Sequence, residues 1–199
     1  MVIFGAGGHA LEVISILKRD YVLPSHFYSE IPGDHILDLP AINDLSQVKE
    51  ERCIIAVGNP GLRDRFYNLI TKHSGIPLNV VSSFAITNEN PVLSRVSGIN
   101  IMDSAQISLN AQIGNGVLVN FGASVHHDAI VGDFCDIGPG ARILGKVTLG
   151  NRCSVGANSV ILPGLILPDN VVVGAGSVVT KSCPSGSTIA GVPARLLST

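Results

Sequence analysis

The chain has 199 residues, of which 46% are hydrophobic and only 14% charged, with a formal net charge of -2. That length fits one large domain or two small ones. The near-neutral balance excludes a broad electrostatic grip on nucleic acid, which needs clustered Lys and Arg. No apolar run approaches the roughly 18 to 20 residues of a membrane span, and no basic-then-apolar leader precedes Met1–Gly5. The expected address is the cytoplasm, without membrane insertion.

In chain order, Met1–Gly5 is predicted as a strand and Gly5-Ala-Gly-Gly-His9 as a turn. A helix over Ala10–Lys18 follows, with Leu11, Ile14 and Leu17 at helical spacing. Ser25–Ser29 reads as a second strand, and the apolar Cys53–Val57 as a third that ends in Gly58-Asn-Pro60. Leu62–Lys72 is helical again, with Leu62, Phe66, Leu69 and Ile70 on one face. Strands and helices in alternation imply a small parallel α/β unit. Asn88–Ser97, with Pro91 and polar residues, reads as a linker. Ten of the fifteen acidic residues precede residue 93, which supports the division.

From Ile101 to Val179 every sixth residue is aliphatic, and four places after each stands a mostly small residue, such as Ala105, Ala123 or Ala141. A fixed period of this kind is the mark of a hexapeptide-repeat β-helix. Three hexapeptides make one triangular coil of 18 residues, and the coils stack at about 4.8 Å. Residues 101–179 then form a little over four coils, with Gly and Asn at the corners. Cys135 and Cys153 are 18 residues apart and are expected as stacked, buried thiols rather than a redox pair. Thr180–Thr199 breaks the rhythm and is expected to pack along the solenoid as a strand or loop.

Residues 18 apart are neighbours on successive coils, so His127 lies beside Gly145. Asp128 follows His127 directly. A histidine base works near neutral pH, and a carboxylate partner fixes its tautomer. A glycine offers an unobstructed N–H suited to an oxyanion. Asn120 stacks on Gly138, and Ala157 on Ala175, along a different corner. In the α/β unit, the Gly7-Gly8-His9 turn is either a plain tight strand-to-helix turn or one whose amides are placed to hold a phosphate or pyrophosphate, with Ser29 and Glu30 placed for a ribose or base. Gly58 and Asn59 end the third strand, at the sheet edge where open α/β folds bind ligands. No spacing of cysteines or histidines indicates a metal site.

The glycine turn ending at His9, the Ala56-Val-Gly-Asn59 strand end, the hexapeptide array, His127-Asp128 and the closing Gly191-Val-Pro-Ala194 together resemble one family. It is the bacterial sugar acetyltransferases of the left-handed β-helix class, and the likeness covers essentially the whole chain. Within it, the chain looks like the branch of UDP-4-amino-sugar N-acetyltransferases and sialic acid O-acetyltransferases. The resemblance implies a Rossmann-like nucleotide-sugar-binding unit over residues 1–92. An all-β left-handed parallel β-helix with its tail follows over 93–199. It also implies a homotrimer, acetyl-CoA as donor, no metal, and active sites between subunits.

The resemblance makes His127 the catalytic base, Asp128 its partner and Gly145 the amide that supports the thioester oxygen. Asn120 is then a substrate contact, and Ala157 and Ala175 line the CoA channel. Gly7, Gly8 and His9 hold the nucleotide-sugar phosphates, with Ser29 and Glu30 close to the nucleotide. Asp136 stands where relatives often carry a second histidine that contacts acetyl-CoA. The implied reaction is acetyl transfer to the 4-amino group of a UDP-linked amino sugar in glycan biosynthesis. A hydroxyl acceptor, on sialic acid or a polysaccharide sugar, is the alternative within acyl transfer. Of another class are a non-catalytic hexapeptide scaffold and a metal-dependent hydratase like the γ-carbonic anhydrases. The latter needs three histidines around zinc, and only His126 and His127 fall in the solenoid.

Overall fold

The computed structural model describes residues 1–20, 23–31, 33–88 and 90–197. Its first part is a parallel sheet ordered β2-β1-β3-β4, with β1 at Val2–Phe4, β2 at His26–Tyr28, β3 at Arg52–Ile55 and β4 at Ile76–Pro77. Helix α1 (Gly8–Asp20) follows β1, and α2 (Pro60–Lys72) follows β3. Strand residues alternate between faces. Ile3 and Ile54 therefore pack under Val13, Ile14 and Leu17 of α1, whereas Phe4 and Ile55 pack under Phe66 and Ile70 of α2. The α1 side also buries Met102 and Leu118, so the unit is seated on the solenoid through that layer.

The second part is a left-handed parallel β-helix of about six turns. Two-residue strands stack with an offset of 18, for example Leu118↔Asp136 and Asp136↔Ser154. All fourteen aliphatic residues of the period point inward and are buried, none more than 3% exposed. Each such burial contributes about 1.5–3 kcal/mol, and the period repeats that gain at every strand. Cys135 and Cys153 are free and buried within the same column.

The ladder reaches back beyond the period. Strand β5 (Val80–Val81) pairs in parallel with β6 (Asn100–Ile101), and Ile86 bridges Gln106. The stretch read as a linker is itself anchored: Asn90 caps a short turn at Pro91–Ser94 and donates to the Ser108 and Ala111 carbonyls. At the far end Thr188–Gly191 adds a parallel strand on Val172–Val173, then turns back through Ala194–Leu196. The tail thus covers the last coil. Among the described residues no helix is long and apolar enough to cross a membrane.

One corner of the triangle carries a polar column. Asn115 Oδ1 accepts from the Ser97 N–H, Asp133 Oδ1 from Asn115, Asn151 Oδ1 from Asp133, and Asp169 Oδ1 from Asn151, at 2.8–3.0 Å. The corner glycines serve two ends. Gly140 has a left-handed φ of 69°, whereas Gly138 has none, and a Cβ there would stand 2.7 Å from the Val155 carbonyl of the next coil.

Candidate active site

His127 and Asp128 occupy the corner between the strands Ser124–Val125 and Ile130–Val131. Asp128 adopts a left-handed φ of 59°, a conformation that Asp tolerates better than most residues. Its Oδ2 lies 3.0 Å from His127 Nδ1. A carboxylate only accepts, so Nδ1 carries the proton and Nε2 is left as the basic nitrogen. The bond to His127 holds the Asp128 carboxyl below its ordinary value.

One coil further on, Gly145 lies under the imidazole. A Cβ built there would stand 2.6 Å from His127 Cε1 and 2.7 Å from Nε2. Only glycine leaves the ring in this position. The Gly145 carbonyl accepts from the Gly164 N–H at 3.0 Å, while its own N–H enters no backbone hydrogen bond among the described residues. The basic nitrogen thus rests against a glycine whose amide is left out of the backbone ladder among the described residues.

Asn120, Ala157 and Ala175 lie on another corner, which follows the strands Leu118–Val119, Ser154–Val155 and Val172–Val173. Asn120 Oδ1 accepts from the Phe121 N–H at 2.8 Å. Among the described residues, the N–H groups of Ala157 and Ala175 enter no backbone hydrogen bond, and they sit one above the other on successive coils. Within the chain this amide column is thus apart from the His127 corner.

The remaining predicted residues gather at the carboxyl edge of the α/β sheet. Among the described residues nothing lies within 4 Å of a Cβ on Gly7 or Gly8, so ligand can approach the opening of α1 closely. A cavity of about 300 Å³ runs from Gly5 and Gly7 past Ser29, Glu30 and Asp34 to Phe66. Ser29 donates to Asp34, and Glu30 pairs with Arg65 at 3.0 Å. Asn59 uses its side-chain oxygen to cap α2, accepting from Leu62 N–H at 2.9 Å. That bond commits its oxygen to the helix end.

His9 is also engaged by the protein. Asn100 donates from Nδ2 to the Ile55 carbonyl at 2.7 Å and stands 3.1 Å from His9 Nε2. Nε2 is then the acceptor, and Nδ1–H faces Glu12 at 3.2 Å. Burial, assisted by the Arg63 charge, pushes the imidazole down to about 4, so it is neutral at pH 7. Any phosphate held here depends on the turn amides rather than on an imidazolium.

Asp136 lies on the outer face of the solenoid that the α/β unit covers. Its Oδ2 is 4.0 Å from the Cβ position of Gly58, and its Oδ1 is buried without a hydrogen-bond partner. Desolvation pushes the carboxyl up to about 6, against the pull of Arg63. Arg63 is fully buried and spends its nitrogens on three carbonyls: Gly116 at 2.7 Å, Val57 at 2.8 Å and Gly98 at 3.3 Å.

Comparison with known proteins gives the class. Residues 110–145 match the family described as bacterial transferase hexapeptide (six repeats), and 146–181 the hexapeptide repeat of succinyl-transferase. A histidine-to-asparagine variant of perosamine N-acetyltransferase from Caulobacter crescentus, solved with CoA and GDP-perosamine, superposes with a TM-score of 0.91. It is 28% identical, over 100% of this chain and 96% of that one. The acetyltransferase domain of PglB from Neisseria gonorrhoeae, solved with acetyl coenzyme A, gives 0.81 at 26% identity over 98% of each chain. WeeI from Acinetobacter baumannii gives 0.86 at 25%, again over 98% of each. The chain is a hexapeptide-repeat acetyltransferase.

Two groups of this acetyltransferase escape the sequence reading. Arg63 lies three residues before Phe66 and seven before Ile70, on the buried stripe of α2. A lone cation at that spacing was the available signal. Asn100, the residue before the first aliphatic of the period, is fully buried and bonds across to the other unit. Its outward position is set by the strand alternation, but its covering is visible only in three dimensions.

Proposed function

We propose that this acetyltransferase moves the acetyl group of acetyl-CoA to the 4-amino group of a nucleoside-diphosphate-linked amino sugar. The observation that carries the reading is the His127 imidazole lying on Gly145, with Nδ1 held by Asp128. The amine nitrogen attacks the thioester carbon while His127 Nε2 takes the proton that the amine loses. The Gly145 N–H receives the charge that develops on the carbonyl oxygen. As the C–S bond breaks, the imidazolium returns its proton to the departing thiolate, and an amide remains on the sugar.

Residues 1–92 serve as the nucleotide-sugar-binding unit and 93–199 as the transfer domain in this reading. The amides of Gly7 and Gly8 hold the diphosphate, with His9, Gly58 and Asn59 shaping that edge, and Ser29 and Glu30 line the nucleotide cavity. Asn120 contacts the sugar, and the amide column of Ala157 and Ala175 receives the pantetheine arm. Uridine is the nucleotide implied by the branch resemblance, while the Caulobacter neighbour was solved with a guanosine-linked sugar. Because the His127 corner and the Ala157–Ala175 column are separate within one protomer, the complete site forms between protomers of a homotrimer. The enzyme works in the cytoplasm, where acetyl-CoA is available.

The test is thiol release from acetyl-CoA with UDP- and GDP-linked 4-amino-4,6-dideoxyhexoses, against free sialic acid. The wild type is expected to acetylate an amino sugar. His127→Ala is expected to lose about 10²–10⁴-fold in kcat, the usual contribution of a general base, with its assembly state retained. Near-normal turnover in that variant would remove His127 from the mechanism.

A further inference from the structure

We propose that Asp136 is the residue that selects an amine over a hydroxyl acceptor, by taking one N–H of the sugar amino group while His127 of the neighbouring protomer, across the subunit boundary proposed above, takes the other; within one chain the two lie on opposite sides of the coil. The inference rests on the acyl-transfer reading above and adds to it the acceptor chemistry that the site recognises.

Among the described residues, none donates a hydrogen bond to either oxygen of this carboxylate. Oδ1 is sealed without a partner, and Oδ2 faces Gly58, at the carboxyl end of β3. The Arg63 guanidinium offsets the charge from nearby, yet its nitrogens are committed to the Gly116, Val57 and Gly98 carbonyls. Asp136 as a whole is part-buried, but a sealed carboxylate oxygen with unmet lone pairs is rare in a folded protein and calls for a donor on the group. Here the donor is expected from the ligand, because Gly58 belongs to the same sheet edge as the Gly7–Gly8 turn. A sugar leaving a diphosphate on that turn passes beside Asp136. That places Asp136 on the acceptor side of the site rather than on the acetyl-CoA side that the resemblance implies.

Counting donors gives the selectivity. A neutral amine has two N–H groups and one lone pair. One N–H goes to Nε2 of the neighbouring protomer's His127, the second to Asp136 Oδ2, and the lone pair points at the thioester carbon. A hydroxyl has one O–H, so it satisfies only one of these acceptors and turns a lone pair toward the other. A site built to receive a hydrogen bond rejects an analogue that lacks the donor.

Calorimetric binding without acetyl-CoA separates the possibilities, using GDP- and UDP-linked 4-amino-4,6-dideoxyhexoses and their 4-hydroxy counterparts. The wild type is expected to bind the amine at least about 10-fold more tightly than the hydroxyl form. Asp136→Val, which fills the space without an acceptor, is expected to bind the two alike and to keep its KM for acetyl-CoA. Asp136→Asn retains shape and a weaker acceptor, and is expected to lose part of the preference. An unchanged preference in both variants would overturn the proposal, as would a rise confined to the acetyl-CoA KM. So would a wild type that acetylates amines yet binds both forms equally. A wild type that acetylates no amino sugar would bring down this proposal and the functional reading together.

Discussion

The imidazole of His127 fills the space that any side chain on Gly145 would need, with Cε1 only 2.6 Å from the Cβ position. The contact is between an exposed ring and a backbone whose φ is not left-handed, so alanine at 145 meets no backbone strain. Gly145→Ala is therefore expected to melt like the wild type while its imidazole swings off the amide. Misplacing a catalytic group by about 1 Å costs on the order of 10²-fold. Steady-state kinetics should show that loss in kcat, and wild-type turnover would mean that the ring does not act from this position.

Arg63 joins the two halves of the molecule at a buried point. Its bond to Gly98 and its bond to Gly116 reach the solenoid side, and its bond to Val57 stays within the α/β unit. Removing one member of a buried charged network leaves the rest unpaired and costs about 3–5 kcal/mol. Arg63→Met should lower the denaturant midpoint accordingly. Adding Asp136→Asn should recover part of the loss, since the uncompensated carboxylate is then gone. A double variant that is no better than the single one would separate the two residues energetically.

His9 gives the fold an acid-sensitive element. Its folded value of about 4 lies below the ordinary 6.5, so the unfolded chain binds the proton more readily in between. The contribution is complete above about pH 6.5 and is lost as pH falls toward 4. Asp136 has the opposite sign: its carboxyl is raised to about 6 and disfavours the fold as pH rises through the interval from 3.8. The quantity to read is thus the difference between wild type and His9→Gln in melting temperature. The wild type should lose ground to the variant on going from pH 7 to pH 4.5, and parallel curves would contradict the neutral, buried imidazole.

The solenoid side next to the His127 corner leaves Leu109, Ile130 and Ile166 at least 43% exposed. A flat apolar surface of this kind favours association, and the proposed trimer needs one. Ile130→Glu is expected to convert the assembly to monomers by light scattering and to abolish turnover with it. A variant that stays trimeric would move the interface to another side of the coil.

Much of this architecture is readable in the chain because a strict period turns position in sequence into position in space. The juxtaposition of His127 and Gly145 follows from counting 18 residues, and the 18-residue strand pairing agrees. Contacts between the α/β unit and the solenoid obey no such count. Arg63 and Gly116 are 53 residues apart, and His9 and Asn100 are 91 apart. The coil that begins at Val80 was hidden for a related reason: backbone pairing holds its strand, without the aliphatic repeat that marks the later ones. Asp136 was visible as an oddity, but its isolation from any donor depends on what covers it.

The Asn115–Asp133–Asn151–Asp169 column works as a length gauge for evolution. Each carboxamide or carboxylate closes on the amide one coil earlier. Losing or gaining one residue within any turn would slide every later member out of reach at once. Substitutions can therefore accumulate along the spiral, whereas insertions and deletions are tolerated only where a loop bulges clear of that edge.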